Sequence, residues 1–185
     1  MTRDAWAFAI DPNHWIPLPP PDRLKEGRAK LWLDQALKHA AYANLATKDQ
    51  LTTLRTRCEE LLDQPRSDEA TVFFPVMEPF PLVVNIETHD HDSWSARLDQ
   101  WKREDEHTRT IEVTEVDHDH LAATERVMRV EQRGTRVHYS VGFFGRGEAH
   151  GLALTAQTVE PLVAGQFAGS GGDVFRTFRE RETAA

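Results

Sequence analysis

At 185 residues and 21.1 kDa the chain has the length of one ordinary domain, and its one cysteine, Cys58, rules out an internal disulfide and a cysteine-built zinc site. Its 30 acids against 22 bases give a formal charge of -8 with no basic block, which argues against nucleic-acid binding and makes a basic protein surface the natural complement. No apolar run approaches the ~20 residues of a bilayer span, and none at the N-terminus has signal-peptide length, so a cytoplasmic protein with a single α+β domain over residues 1–185 is expected.

Trp6, Phe8 and Ile10 alternate, and Trp15 and Ile16 follow the turn Asp11-Pro12-Asn13, which predicts two short strands. The run Pro17-Leu18-Pro19-Pro20-Pro21 forbids a helix and predicts an extended connector. From Arg28 to about Ala46 good helix formers place Leu33, Ala36, Leu37, Ala40 and Ala41 on one face. A second helix opens at Thr47, with Gln50 three positions on to complete a capping box, and its stripe runs through Leu51, Leu54, Cys58, Leu61 and Leu62. Cys58 is thereby a packed core thiol, and Pro65 closes the helical region.

Ala70 to Met77 is β-branched and aromatic enough for a strand, interrupted by Pro75, and Leu82 to Thr88 is the next, with Leu82, Val84 and Ile86 on one face. Asp92 or Ser93 is placed to cap a helix that carries Trp94, Leu98 and Trp101 on one side. Thr108 to Val116 alternates as a strand. Leu121 to Glu160 reads as an antiparallel meander with glycine-marked turns, in which Thr135, Val137, Tyr139, Val141 and Phe143 share one face of a half-buried strand. Glu160-Pro161 starts a helix, the run from Gly169 to Gly172 is expected to break it, and Asp173 to cap a last helix carrying Val174, Phe175 and Phe178.

Two similar segments carry the sharpest chemistry, His89-Asp90-His91-Asp92 and Asp117-His118-Asp119-His120. In an extended segment residues two apart face the same side, so each offers two imidazoles together, and imidazole with carboxylate suits zinc or a first-row metal. If the loops converge, His89, His91, His118 and His120 form a metal site, structural or hydrolytic. The run Gly169-Ser170-Gly171-Gly172 lacks the lysine and hydroxyl of a phosphate loop, and no Gly-x-Ser-x-Gly elbow or Cys-His pair is present. Trp6 and Trp15, in the aromatic N-terminus, are candidates for contact with a partner protein, and a pocket between sheet and helices would suit a small-ligand carrier.

The order of elements resembles the Mog1/PsbP-type α/β/α sandwich, including its bacterial DUF1795 and DcrB relatives. The resemblance rests on the aromatic strand ending near Trp15, on Leu82 to Thr88, on Leu121-Ala122-Ala123-Thr124-Glu125-Arg126, on His138 to Phe144 and Leu152 to Thr158, and on the closing Asp173-Val174-Phe175-Arg176-Thr177-Phe178-Arg179. It implies one antiparallel sheet covered by helices. It also implies a non-catalytic protein-interaction or accessory module, without a cofactor, associated with a bacterial secretion or envelope system.

Overall fold

The computed structural model describes residues 5–21, 26–44, 47–64, 66–67, 69–76 and 78–181. Leu45, Ala46, Pro65 and Met77, on which parts of the sequence reading rested, lie outside them, as do the side chains of Ala40 and Ala41. In chain order the elements are β1 (Trp6–Ala7), β2 (Trp15–Leu18), α1 (Glu26–Asn44), α2 (Lys48–Leu62), β3 (Glu69–Phe73), β4 (Leu82–His89), α3 (His91–Lys102), β5 (Thr108–Glu115), β6 (Ala122–Arg133), β7 (Arg136–Arg146), β8 (Gly151–Thr158), α4 (Pro161–Phe175) and β9 (Arg179–Glu180). The content is mixed α+β and the strand pairing mostly antiparallel. Two compact units divide the chain, Ile10–Asn85 and the residues on either side of it, with β4 running from the first into the second.

In Ile10–Asn85 the strands lie in the order β2-β3-β4. β2 pairs antiparallel with β3 from Trp15↔Phe73 to Leu18↔Ala70, and the period of two puts Ile16, Leu18, Ala70, Val72, Phe74 and Val83 into one cluster. α1 closes over that face with Trp32, Leu33 and Ala36, and α2 with Leu54, Cys58 and Leu61. The capping box at Thr47 forms with both of its bonds, Gln50 N to Thr47 Oγ1 at 3.3 Å and Thr47 N to Gln50 Oε1 at 2.8 Å. Pro17 sits exposed in β2, the outer strand of this unit, where a missing N–H is tolerated.

In the other unit the order is β4-β8-β7-β6-β5, and a separate two-stranded sheet pairs β1 with β9 in the register Trp6↔Glu180 and Ala7↔Arg179. The expectation of a single sheet is corrected to that extent. β9 has two polar residues and no alternation to announce it. The hairpin from β6 to β7 closes at Arg133↔Arg136, so Thr135 belongs to a two-residue turn and not to the strand. Gly134 holds φ 61 at the first turn position, the place where a tight hairpin of this handedness asks for glycine.

Phe143 and Phe144 are neighbours on β7, and their rings leave on opposite faces. Phe167 and Phe175 of α4 meet Phe143 at ring-centroid distances of 5.9 and 5.6 Å, while Trp101 of α3 meets Phe144 at 5.4 Å. Helix, sheet and helix are therefore layered in this unit. The second half of β7 is buried on both faces, whereas its alternation had suggested one. On the α3 side, Trp94 and Leu98 pack with Val127, Phe144 and Ala153. Arg129 fastens the end of that helix to β6: its guanidinium donates to the carbonyls of Gln100 and Trp101 at 3.0 and 3.1 Å and pairs with Glu131 at 2.7 Å.

The glycine run does not break α4, which is continuous from Pro161 to Phe175. A Cβ at Gly171 would lie 2.7 Å from the Phe167 ring and 3.0 Å from the Phe143 ring, so the missing side chain lets the helix settle onto the sheet. Packing overrides helix propensity here. α3 likewise begins earlier than expected, because Asp90 and not Asp92 or Ser93 is the N-cap, accepting from the Ser93 amide at 2.8 Å.

Candidate functional site

The capping role of Asp90 changes the geometry of the first histidine segment. His89 ends β4 and His91 opens α3, so the extended backbone stops at Asp90 and the segment is a strand-to-helix junction, not one continuous extended run. The Ser93 amide and hydroxyl keep the Asp90 carboxyl below its ordinary range, as a helix cap requires. His89 Nε2 lies 3.2 Å from Glu87 Oε2. Glu87 also receives Arg97 through two bonds of 3.0 Å and Thr155 Oγ1 at 3.3 Å, so both of its oxygens are occupied by side chains of its own unit. His91 differs: its Nε2 is buried with no hydrogen-bond partner.

The second segment is a turn tied by its first imidazole. His118 Nδ1 accepts from the amides of His120 at 3.0 Å and Leu121 at 3.1 Å, which leaves the proton on Nε2, and Nε2 donates to the Phe175 carbonyl at 2.9 Å. Burial holds its imidazole below the usual value, against the pull of that carbonyl, and the neighbouring His120 adds to the lowering. Both nitrogens serve the fold. The His120 ring stands 6.3 Å from it, edge to face. Among the described residues no three His, Cys, Asp or Glu side chains are gathered where they would share an ion, and the structure does not bring His89 and His91 together with His118 and His120 into such a group.

Trp6 and Trp15 are 4% and 2% exposed, and the surface expected of the aromatic N-terminus is not theirs. Trp6 donates from its indole to Thr88 Oγ1 at 3.1 Å, and Trp15 packs its ring against Phe73 at 5.0 Å. Phe8, 39% exposed and stacked on Phe178 at 4.4 Å, is the aromatic of that stretch that reaches the surface. Cys58 is fully buried among α1, α2 and β3, and burial pushes its thiol up to about 12, which removes it from nucleophilic chemistry.

One surface the sequence reading passed over is β5. It is the outermost strand of its unit, and of its eight residues only Thr108 and Ile111 are even partly buried. Val113 is 45% exposed. The bond from Val116 N to Thr124 O fixes which backbone groups point where: Thr110, Glu112 and Thr114 direct theirs to β6, and Ile111, Val113 and Glu115 direct theirs outward. Side chains alternate as well, Ile111 packing with the Trp94 and Val127 cluster under α3 while Glu112 pairs with Arg126 at 3.1 Å on the opposite face. From Glu104 to His120 the chain carries seven carboxylates, those of residues 104, 105, 106, 112, 115, 117 and 119, against the single arginine Arg109. That density is visible in the sequence. Its place along an open edge is not, because strand order is a tertiary property.

No protein-family model matches this chain, and neither curated proteins nor solved structures provide a similar one.

Proposed function

We propose that this chain is a non-catalytic protein-interaction or accessory module of the Mog1/PsbP-like kind, acting in the cytoplasm and associated with a bacterial secretion or envelope system. The observation that carries the reading is the distribution of charge: seven carboxylates against one arginine over residues 104–120, along and around the exposed strand β5. Arg126 pairs with Glu112 and Arg129 with Asp105, and the excess of carboxylates left over those pairs is of the sign that attracts a basic partner and speeds its docking. The imidazoles and carboxylates that would otherwise suggest chemistry, His118, Asp90 and Glu87 above all, are engaged in holding loops and helix ends. Helices on both faces of the β7 sheet support the family resemblance.

The test is affinity capture of the tagged full chain from native extract, followed by mass spectrometry and reconstitution with the purified protein found. A stoichiometric complex that dissociates with rising salt is the expected result. Recovery of the chain alone, at low salt and after crosslinking, would remove the reading.

A metal site is the second reading, and the buried, unpartnered Nε2 of His91 is the observation in its favour. Metal analysis of purified protein decides it. Stoichiometric zinc or manganese that disappears in His91→Ala supports a site, and metal-free protein of undiminished stability removes it.

A further inference from the structure

We infer that the outer edge of β5 takes up an extended, basic segment of a partner protein as an additional strand. The inference rests on the interaction-module reading and adds to it the place, the mode and the chemistry of the partner.

Three features of β5 lead there. Its outward backbone groups at Ile111, Val113 and Glu115 have no strand beyond them among the described residues. Sheet edges of this kind are normally blunted by proline, brevity, a bulge, charged side chains or cover, and β2, the outer strand of the other unit, has four residues with Pro17 among them. β5 has eight residues, no proline and six exposed side chains. Its register shift lies between Thr108 and Thr110, which leaves Thr110 to Glu115 as the regular open ladder, and the charges of Arg109, Glu112 and Glu115 restrict which strand can join it. An open ladder edge of that length supplies the main-chain bonds of strand addition, and pockets or charges at alternate positions supply the selectivity.

The alternation of β5 states what the added strand should look like. On the face shared with Ile111 and Val113, an incoming residue beside Val113 would cover apolar surface that is now 45% exposed. On the other face it would stand beside Glu112, whose carboxylate is 59% exposed even with Arg126 against it. Apolar and basic residues in strict alternation match both faces at once. Beyond the strand ends, Glu104 and Glu106 at one side and Asp117 and Asp119 at the other extend the negative field past the ladder, so a segment with basic flanks is favoured over a neutral one. A second copy of this chain fits less well, because two β5 edges paired antiparallel would bring together two acid-rich segments with Arg109 as the single arginine of each.

The experiment uses the full chain and a fluorescein-labelled octapeptide of alternating valine and lysine, read by anisotropy. Saturable binding is expected, weaker by about tenfold or more for a valine–glutamate peptide of the same length. A valine–lysine peptide N-methylated at alternate residues, so that the edge facing β5 has no N–H, should lose binding to a similar extent while leaving the protein untouched. Val113→Pro removes an outward N–H that β6 does not use, and it should abolish binding with the circular-dichroism spectrum preserved; Glu112→Lys is a second variant should proline disturb the strand, and should weaken the lysine peptide selectively.

Equal binding of both charge types, or indifference to N-methylation, overturns the inference. So does a dimer in sedimentation that Val113→Pro dissolves, since the occupant would then be a second copy. The two proposals fail separately. If a partner captured by the wild-type chain binds Val113→Pro and Glu112→Lys undiminished, strand addition at β5 falls and the interaction module stands; if no partner exists, the module falls whatever the peptide does.

Discussion

The Nε2–H of His118 donates to the carbonyl of Phe175 at 2.9 Å, tying the turn between β5 and β6 to the last residue of α4. The opposite nitrogen has two amides aimed at it, so a second proton has no room there. The folded chain resists protonation of this imidazole below its ordinary 6.5, and burial is the main cause. The unfolded chain takes up the proton first, so the stability His118 confers is complete above that value and is lost as pH falls through the lower, folded one. In urea unfolding at pH 8, His118→Ala should cost about 1–3 kcal/mol. At pH 5 the gap between variant and wild type should narrow; a gap that widened would contradict the assignment.

Ala123 holds φ 49 in the irregular stretch of β6 between Ala122 and Glu125, a conformation that crowds the Cβ of any L-residue. Ala123→Gly is expected to raise stability by about 0.5–1 kcal/mol, the relief of strain exceeding the added freedom of the unfolded chain. Gly134→Ala, at φ 61, should lower it by about 1 kcal/mol. Thermal unfolding of both variants checks the pair of signs.

Two glycines of α4 should respond in opposite directions to the same change. Gly169 has open space where a Cβ would stand, and Gly169→Ala should stabilise by up to about 1 kcal/mol through helix propensity alone. Gly171→Ala drives a methyl between the Phe167 and Phe143 rings and should cost about 1–3 kcal/mol. Equal effects would mean that α4 does not lie on β7 as described.

Cys58 should be silent toward iodoacetamide and aromatic disulfides at pH 8 until the chain unfolds, because a thiol pushed up to about 12 and fully buried offers neither thiolate nor access. Labelling in urea should then follow the unfolding curve. Cys58→Ser, which sets a hydroxyl among Leu54, Leu61 and Val72, should cost about 1–3 kcal/mol. Rapid labelling of the native chain would contradict this packing.

Features governed by near neighbours in the chain were legible. The Thr47–Gln50 box, the Leu54–Cys58–Leu61 stripe and the shared face of Leu82, Val84 and Ile86 depend on spacing alone, and each appears as spacing predicts. Legibility ended where a distant group decided the outcome. The glycines of α4 read as a break because the ring of Phe143, 28 residues before Gly171, is invisible to propensity. The pair His89 and His91 read as one extended ligand set because nothing local says that Asp90, and not Asp92, will cap the helix. Trp6 and Trp15 looked available for contact because burial is set by the elements that close over them. For β5 the acids were countable from the start, but its position at the edge depends on which strand lies beside which.

β1 finds its pairing partner in β9, with Trp6 opposite Glu180. During synthesis this gives the chain an unequal timetable. The residues of Ile10–Asn85 hold a cluster of their own, while Trp6 and Ala7, which leave the ribosome before them, must wait for Arg179 and Glu180. A chain halted short of Arg179 would carry β1 without its pairing strand.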